Sequence, residues 1–289
     1  MKKIILGAIC LMMMAGCKSL KVVDQNSAVN AGVAAAQALT ISDSQIKQLC
    51  KEYMEQTDGE NTVLPASDQY AQRLKRIMAK FKNINNLNVN YKVYQSSTVN
   101  AFASGDGSIR VYTGLMDAMD DDELFAVIGH ELGHLKNKDV RDAYRAAYLI
   151  VAARYGVGAF NETAGAIAQG FLGDLGQELA TSAYSRKQEY EADEASFQYC
   201  VTNGVDPFAM YRALNVLIRL NGSSSTQSKV AQMFATHPDS NKRATRIKEM
   251  AEAAGYKMGS SSSSNTATPN STGGSTTVKP KTTVVKPKN

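Results

Sequence analysis

Histidine is nearly absent from this 289-residue chain, which holds three. All three sit in metal-site company: His130 and His134 in the run His130-Glu131-Leu132-Gly133-His134, and His237 in Thr236-His237-Pro238. Long apolar runs are also missing once the first residues are passed. The most apolar stretch, Ala146 to Phe160, is broken by Arg154, Gly156 and Gly158, so no membrane span follows the N-terminus. Gly156-Val157-Gly158 lacks a third glycine, since Asn161 stands there, and no strand precedes it. A dinucleotide loop is excluded. Acidic residues are absent from 259–289, which carry Lys279, Lys281, Lys286 and Lys288. The formal charge of +5 is therefore a property of the ends. It falls to +3 without residues 1–16 and to −1 without the tail. A body with no basic excess argues against nucleic acid as a partner.

Cysteine is scarce as well, with four in the chain, and each has a separate fate. Lys2 and Lys3 followed by the short apolar run Ile4 to Ala15 read as a secretion signal. Met14-Ala15-Gly16-Cys17 resembles a bacterial lipobox, which makes Cys17 the lipidated first residue. The alternative is an ordinary cleaved signal with an incidental Cys17. Lys18 in place of an aspartate resembles lipoproteins sent to the outer membrane, facing the periplasm. Cys10 leaves with the signal. Cys50 and Cys200 then share an oxidising compartment. They either form a bond between the first helix of the body and the helix after Glu189, or stay as two buried thiols.

The chain divides into a signal (1–16), a lipidated N-terminus and tether (17–42), one domain (43–255) and a tail (256–289). The tail is Ser/Thr-rich, repeats Val278-Lys279-Pro280-Lys281 as Val285-Lys286-Pro287-Lys288, and has too little apolar surface to order itself. In the domain, Ile46, Leu49, Cys50, Tyr53 and Met54 mark a first helix. Tyr70, Leu74, Ile77, Met78 and Phe81 mark a second. Residues 88–94 alternate as a strand. Shorter strands follow at Ala101-Phe102 and Ile109 to Tyr112, with Gly105-Asp106-Gly107 as the turn between them. Helices fill the rest. The expected class is α+β: a small antiparallel sheet and then a helical bulk.

Residues four apart on a helix share a face, so His130 and His134 can address one ion, with Glu131 beside it as a base. This is the signature of a zinc metalloprotease helix. Asp120 and Glu123 can form its capping box. The acidic run Asp120 to Glu123 suits the positive end of the helix dipole, with a calcium site as the weaker alternative. Leu124, Phe125, Val127, Ile128, Leu132 and Leu135 make the helix apolar nearly all round, hence buried, and buried histidines need a polar partner such as zinc. A catalytic zinc takes three protein ligands. The third is sought in Ser185 to Glu194, where four acids compete. Glu189 and Asp193 share a face, so Glu189 can bind zinc while Asp193 accepts the second N–H of a ligand histidine. Glu191 points away to solvent.

The His130-Glu131-Leu132-Gly133-His134 run, the segment Ser185-Arg186…Glu189…Ala192-Asp193 and His237-Pro238…Arg243 occur in the order found in the HtpX-like and CAAX-prenyl-protease-like zinc metallopeptidases. Val99 to Ala103, Ile109 to Met116 and Tyr91 to Tyr94 resemble the soluble lipoprotein branch of that family. The likeness covers about 43–255 and implies a mainly helical, zincin-like metalloprotease domain. It also implies zinc held by His130, His134 and Glu189, with Glu131 moving the proton. It puts His237 and Arg243 near the site. There His237 either stabilises the oxyanion or occupies the water's place and keeps the enzyme latent. The strand at Asn100, Ala101 and Phe102 is expected to pair with an extended substrate, which suits unfolded or misassembled envelope proteins. The rival readings are a binding protein with a structural zinc and a cell-wall amidase. Nothing in the sequence marks an oligomeric state.

Overall fold

A computed structural model describes residues 42–82, 84–155 and 165–258. The signal, Cys17, the tether up to residue 41 and residues 259–289 lie outside them, as do Gly156, Gly158 and Asn161. Helix α1 (Asp43–Glu60) opens on a capping box at Ser42 and Gln45, and buries Ile46, Leu49, Cys50 and Met54. Helix α2 (Gln69–Met78) buries Leu74, Ile77 and Met78. Phe81, just beyond it, stacks on Phe125 at 3.9 Å between ring centres. Both apolar stripes are core faces, as their spacing predicts.

The sheet holds β1 (Asn90–Tyr94), β2 (Ala101–Ala103) and β3 (Ser108–Tyr112) in the order β1-β3-β2. The α+β class stands, but the sheet is mixed rather than antiparallel. β2 and β3 form the expected hairpin, with Ala101 opposite Val111. Gly107 takes φ +97 in the turn, a conformation that favours glycine. β1 instead pairs parallel to β3, with Val93 opposite Val111. The segment after Tyr94 carries the chain across to the far edge, so β3 returns between the two earlier strands. Alternation fixes which face a side chain takes, not which strand becomes its neighbour. β2 is left at one edge of the sheet and β1 at the other, where Val63 bridges to Tyr94.

Arg110 in β3 is 2% exposed and needs a counter-charge. Asp58 at the end of α1 supplies it through two bonds, of 2.8 and 2.9 Å, and also accepts from Lys92 Nζ and Tyr94 Oη. Burial works to raise the Asp58 pKa, but the Arg110, Lys92 and Tyr94 bonds win and hold it at about 2. A depressed carboxylate contributes stability that is complete above the unfolded value of 3.8 and is lost as pH falls toward 2. Asp58→Asn is therefore expected to destabilise the domain by about 3 kcal/mol at pH 6. It should also flatten the loss of stability between pH 5 and pH 2. Urea unfolding across that range checks both, and parallel pH curves for the two proteins would refute the assignment.

Helices α3 (Thr113–Ala118), α4 (Asp121–Asn137), α5 (Asp139–Tyr155), α6 (Gly165–Thr181), α7 (Arg186–Asn203), α8 (Ala209–Asn221), α9 (Gln227–Thr236) and α10 (Ser240–Ala253) complete the domain. None of the described helices is long and apolar enough to cross a membrane. Cys50 and Cys200 are separate buried thiols, each pushed up to about 12, chiefly by burial. Of the two readings of these cysteines, the structure has the unbonded one.

Candidate metal centre

α4 starts where its sequence says. Asp120 and Glu123 exchange bonds of 2.8 and 3.0 Å in a capping box, and the acidic first turn faces the helix dipole. From Glu123 to His134 every residue is buried. α7 lies against α4 at very short range. A Cβ on Gly133 would sit 2.9 Å from Ala192 Cα and 3.0 Å from Ala195 Cβ. Only small residues permit this approach, and Ser196 Oγ donates to Ala126 O across it at 2.6 Å. The contact aims the acids of α7 at the histidines of α4. Glu191 lies on the exposed side, as expected.

One donor atom each from His130, His134, Glu189 and His237 lie within 4.8 Å of one another, and all four residues are buried. His134 Nε2 is 3.4 Å from Glu189 Oε1 and 3.1 Å from His130 Nε2. His237 ends α9, and its Nδ1 reaches Glu189 Oε1 at 3.1 Å and His130 Nε2 at 3.3 Å. Glu131 is 2% exposed, and its Oε1 has no hydrogen-bond partner, with His237 Nε2 3.7 Å away. Four nitrogen and carboxylate donors around one point, beside an orphaned buried carboxylate oxygen, fit a divalent metal and a water.

The outer faces of the imidazoles are held too. His130 Nδ1 is 3.0 Å from Asp193 Oδ1. Arg243, from α10, grips Asp193 with bonds of 2.9 and 2.7 Å and also contacts Glu189. Burial works to raise the Asp193 pKa, but the Arg243 charge prevails and holds it at about 2. Glu189 is likewise held well below the ordinary range. Its burial is outweighed by bonds from His134 and His237. The His130 pKa is lowered by burial and by Arg243. Burial also opposes charge on His134, but Asp139 and Glu189 overcome it and lift its pKa to about 9.

Asp139 is the residue that the sequence reading misses. Its Oδ2 is 2.9 Å from His134 Nδ1. It lies five residues after His134, past the left-handed Lys138 that ends α4, so no helical period connects the two. Tyr184 is missed for the same kind of reason: its ring stacks on His134 at 3.9 Å from outside any helix. Beside the centre is a cavity of about 150 Å³, bordered by Glu131 and His237 and walled by Phe102, Tyr112, Tyr144 and Tyr184. Asn100 and Phe102 line it, whereas the Ala101 side chain is in the core.

Residues 65–251 match the model of peptidase family M48. The chain belongs to peptidase family M48. Metalloprotease LoiP of Escherichia coli (strain K12) is 37% identical over 243 residues, 84% of this chain and 93% of its own. Metalloprotease YcaL of the same strain is 37% identical over 238 residues, 82% of this chain and 92% of its own. A protease HtpX homologue of Salinibacter ruber is 30% identical over 181 residues, 53% of this chain and 64% of its own. The crystal structure of S. mikatae Ste24p aligns over 76% of this chain and 57% of its own, at 16% identity and a TM-score of 0.43. This M48 peptidase is thus a metalloendopeptidase, in agreement with the resemblance read from its three motifs.

Proposed function

We propose that this chain is a zinc endopeptidase, lipid-anchored through Cys17 at the outer membrane and facing the periplasm, that cuts unfolded or misassembled envelope proteins. The observation that carries the reading is the position of Glu131, buried at the border of the cavity beside the donor cluster, with no hydrogen bond to its Oε1. His130, His134 and Glu189 would hold the zinc, their imidazole and carboxylate donors being the set of a hydrolytic site. A zinc held there would supply Lewis acidity, lowering the pKa of a bound water and polarising the scissile carbonyl. Glu131 accepts a proton on Oε1 and returns it to the leaving amine. Asp193 accepts from His130 Nδ1, and Arg243 keeps that carboxylate charged and fixed.

The β2 edge is the substrate's place. In the antiparallel ladder Asn100 O accepts from Tyr112 N, so the N–H and C=O of Ala101 and Ala103 point away from β3. An extended peptide pairing there is read through its backbone, which suits chains that have lost their fold. The lipobox and Lys18 support the location. The protein loaded with zinc is expected to cleave casein, to stop when the metal is chelated, and to resume when zinc is returned. Intact casein with zinc bound, in this protein and in His237→Ala alike, would overturn the proposal.

His237 carries a second reading. Its Nδ1 stands among the donors, which favours a fourth ligand that keeps the enzyme latent. On that reading His237→Ala raises casein cleavage several-fold at equal zinc content. A loss of about 100-fold would instead assign His237 to the developing oxyanion.

A further inference from the structure

The two histidines of α4 are oriented by different means. The carboxylate behind His130, Asp193, is neutralised by a buried arginine. The carboxylate behind His134, Asp139, has a neutral partner: Gln188 Nε2 donates to its Oδ1 at 3.1 Å. Gln188 is also the third residue of α7. Its Oε1 accepts from Ser185 N at 2.9 Å, which closes the capping box of that helix. One side-chain amide therefore serves two helices. Its oxygen fixes the first turn of α7, where the next residue is Glu189. Its nitrogen fixes the carboxylate that faces His134.

We infer that Asp139 and Gln188 are positioning residues that set His134 for the metal through a relay from the α7 capping box. The relay runs from Ser185 N–H to Gln188 Oε1, from Gln188 Nε2–H to Asp139 Oδ1, and from His134 Nδ1–H to Asp139 Oδ2. With Nδ1–H committed to Asp139, His134 Nε2, 3.4 Å from Glu189 Oε1, is the ring nitrogen that faces the donor cluster. The Tyr184 ring, 14° from parallel to the imidazole, limits its tilt. Formation of the capping box and presentation of two donors, His134 and Glu189, become one event. The inference rests on the zinc site proposed above.

The test separates capping from relay. Glutamate is as good as glutamine in a capping box but has no N–H for Asp139. Gln188→Glu keeps the bonds to Ser185 but sets a second carboxylate against Asp139, so the metal-free protein is expected to unfold a few degrees lower, with its α7 cap intact. Its zinc affinity, measured by competition with a chromophoric chelator, should fall about 10-fold. Asp139→Asn is expected to lose about 10- to 100-fold in the same measurement. Wild-type affinity in either variant overturns the relay. His134→Ala is the control: if it binds zinc as the wild type does, the site itself is misplaced, and the relay is not what failed.

Discussion

Glu131→Gln is expected to lower kcat for casein about 1000-fold while the protein keeps a full complement of zinc. The substitution is isosteric and removes the acceptor for the water's proton. Glu131 is outside the set His130, His134 and Glu189, and its Oε1 lies 3.7 Å from His237 Nε2. Metal analysis and turnover on the same preparation separate the base from the ligands. Activity within tenfold of wild type would remove Glu131 from the mechanism. Loss of zinc together with activity would make it part of the metal's support instead.

Arg243→Met carries the second large effect, on stability. Arg243 is 1% exposed and answers two buried carboxylates, Asp193 and Glu189. Without it, two negative groups remain in a place where water cannot reach them. Breaking a buried pair from one side costs about 3–5 kcal/mol. For a domain of this size that lowers Tm by about 10 °C. Zinc offsets part of the loss, because it compensates Glu189 but not Asp193. The metal-free variant should therefore show the larger drop. A Tm within two degrees of wild type in the metal-free protein would show that the pair contributes little.

The legible parts of the site are those in which chemistry and helical period coincide. His130, Glu131 and His134 declare themselves by spacing, and Asp120 with Glu123 declares the start of their helix. Glu189 and Asp193 follow from the same period once a third ligand is sought. His237 and Arg243 come from the resemblance, since nothing in their own spacing marks them. The structure brings His237 into the donor set and Arg243 onto Asp193.

The amino-acid sequence by itself determined the first two helices and their apolar faces, the metal helix with its cap, the α+β class, and His130, His134 and Glu189 as residues that could meet at one ion. These are local properties, set by side chains within a turn or two of one another. Tertiary structure decided the rest. It chose β3 over β2 as the neighbour of β1, left β2 at an edge, kept Cys50 and Cys200 apart, and drew Asp139, Gln188 and Tyr184 around His134. Each outcome depends on which segments far apart in the chain come to touch. The close packing of α4 on α7, permitted by Gly133 against Ala192, fixes that for the metal centre.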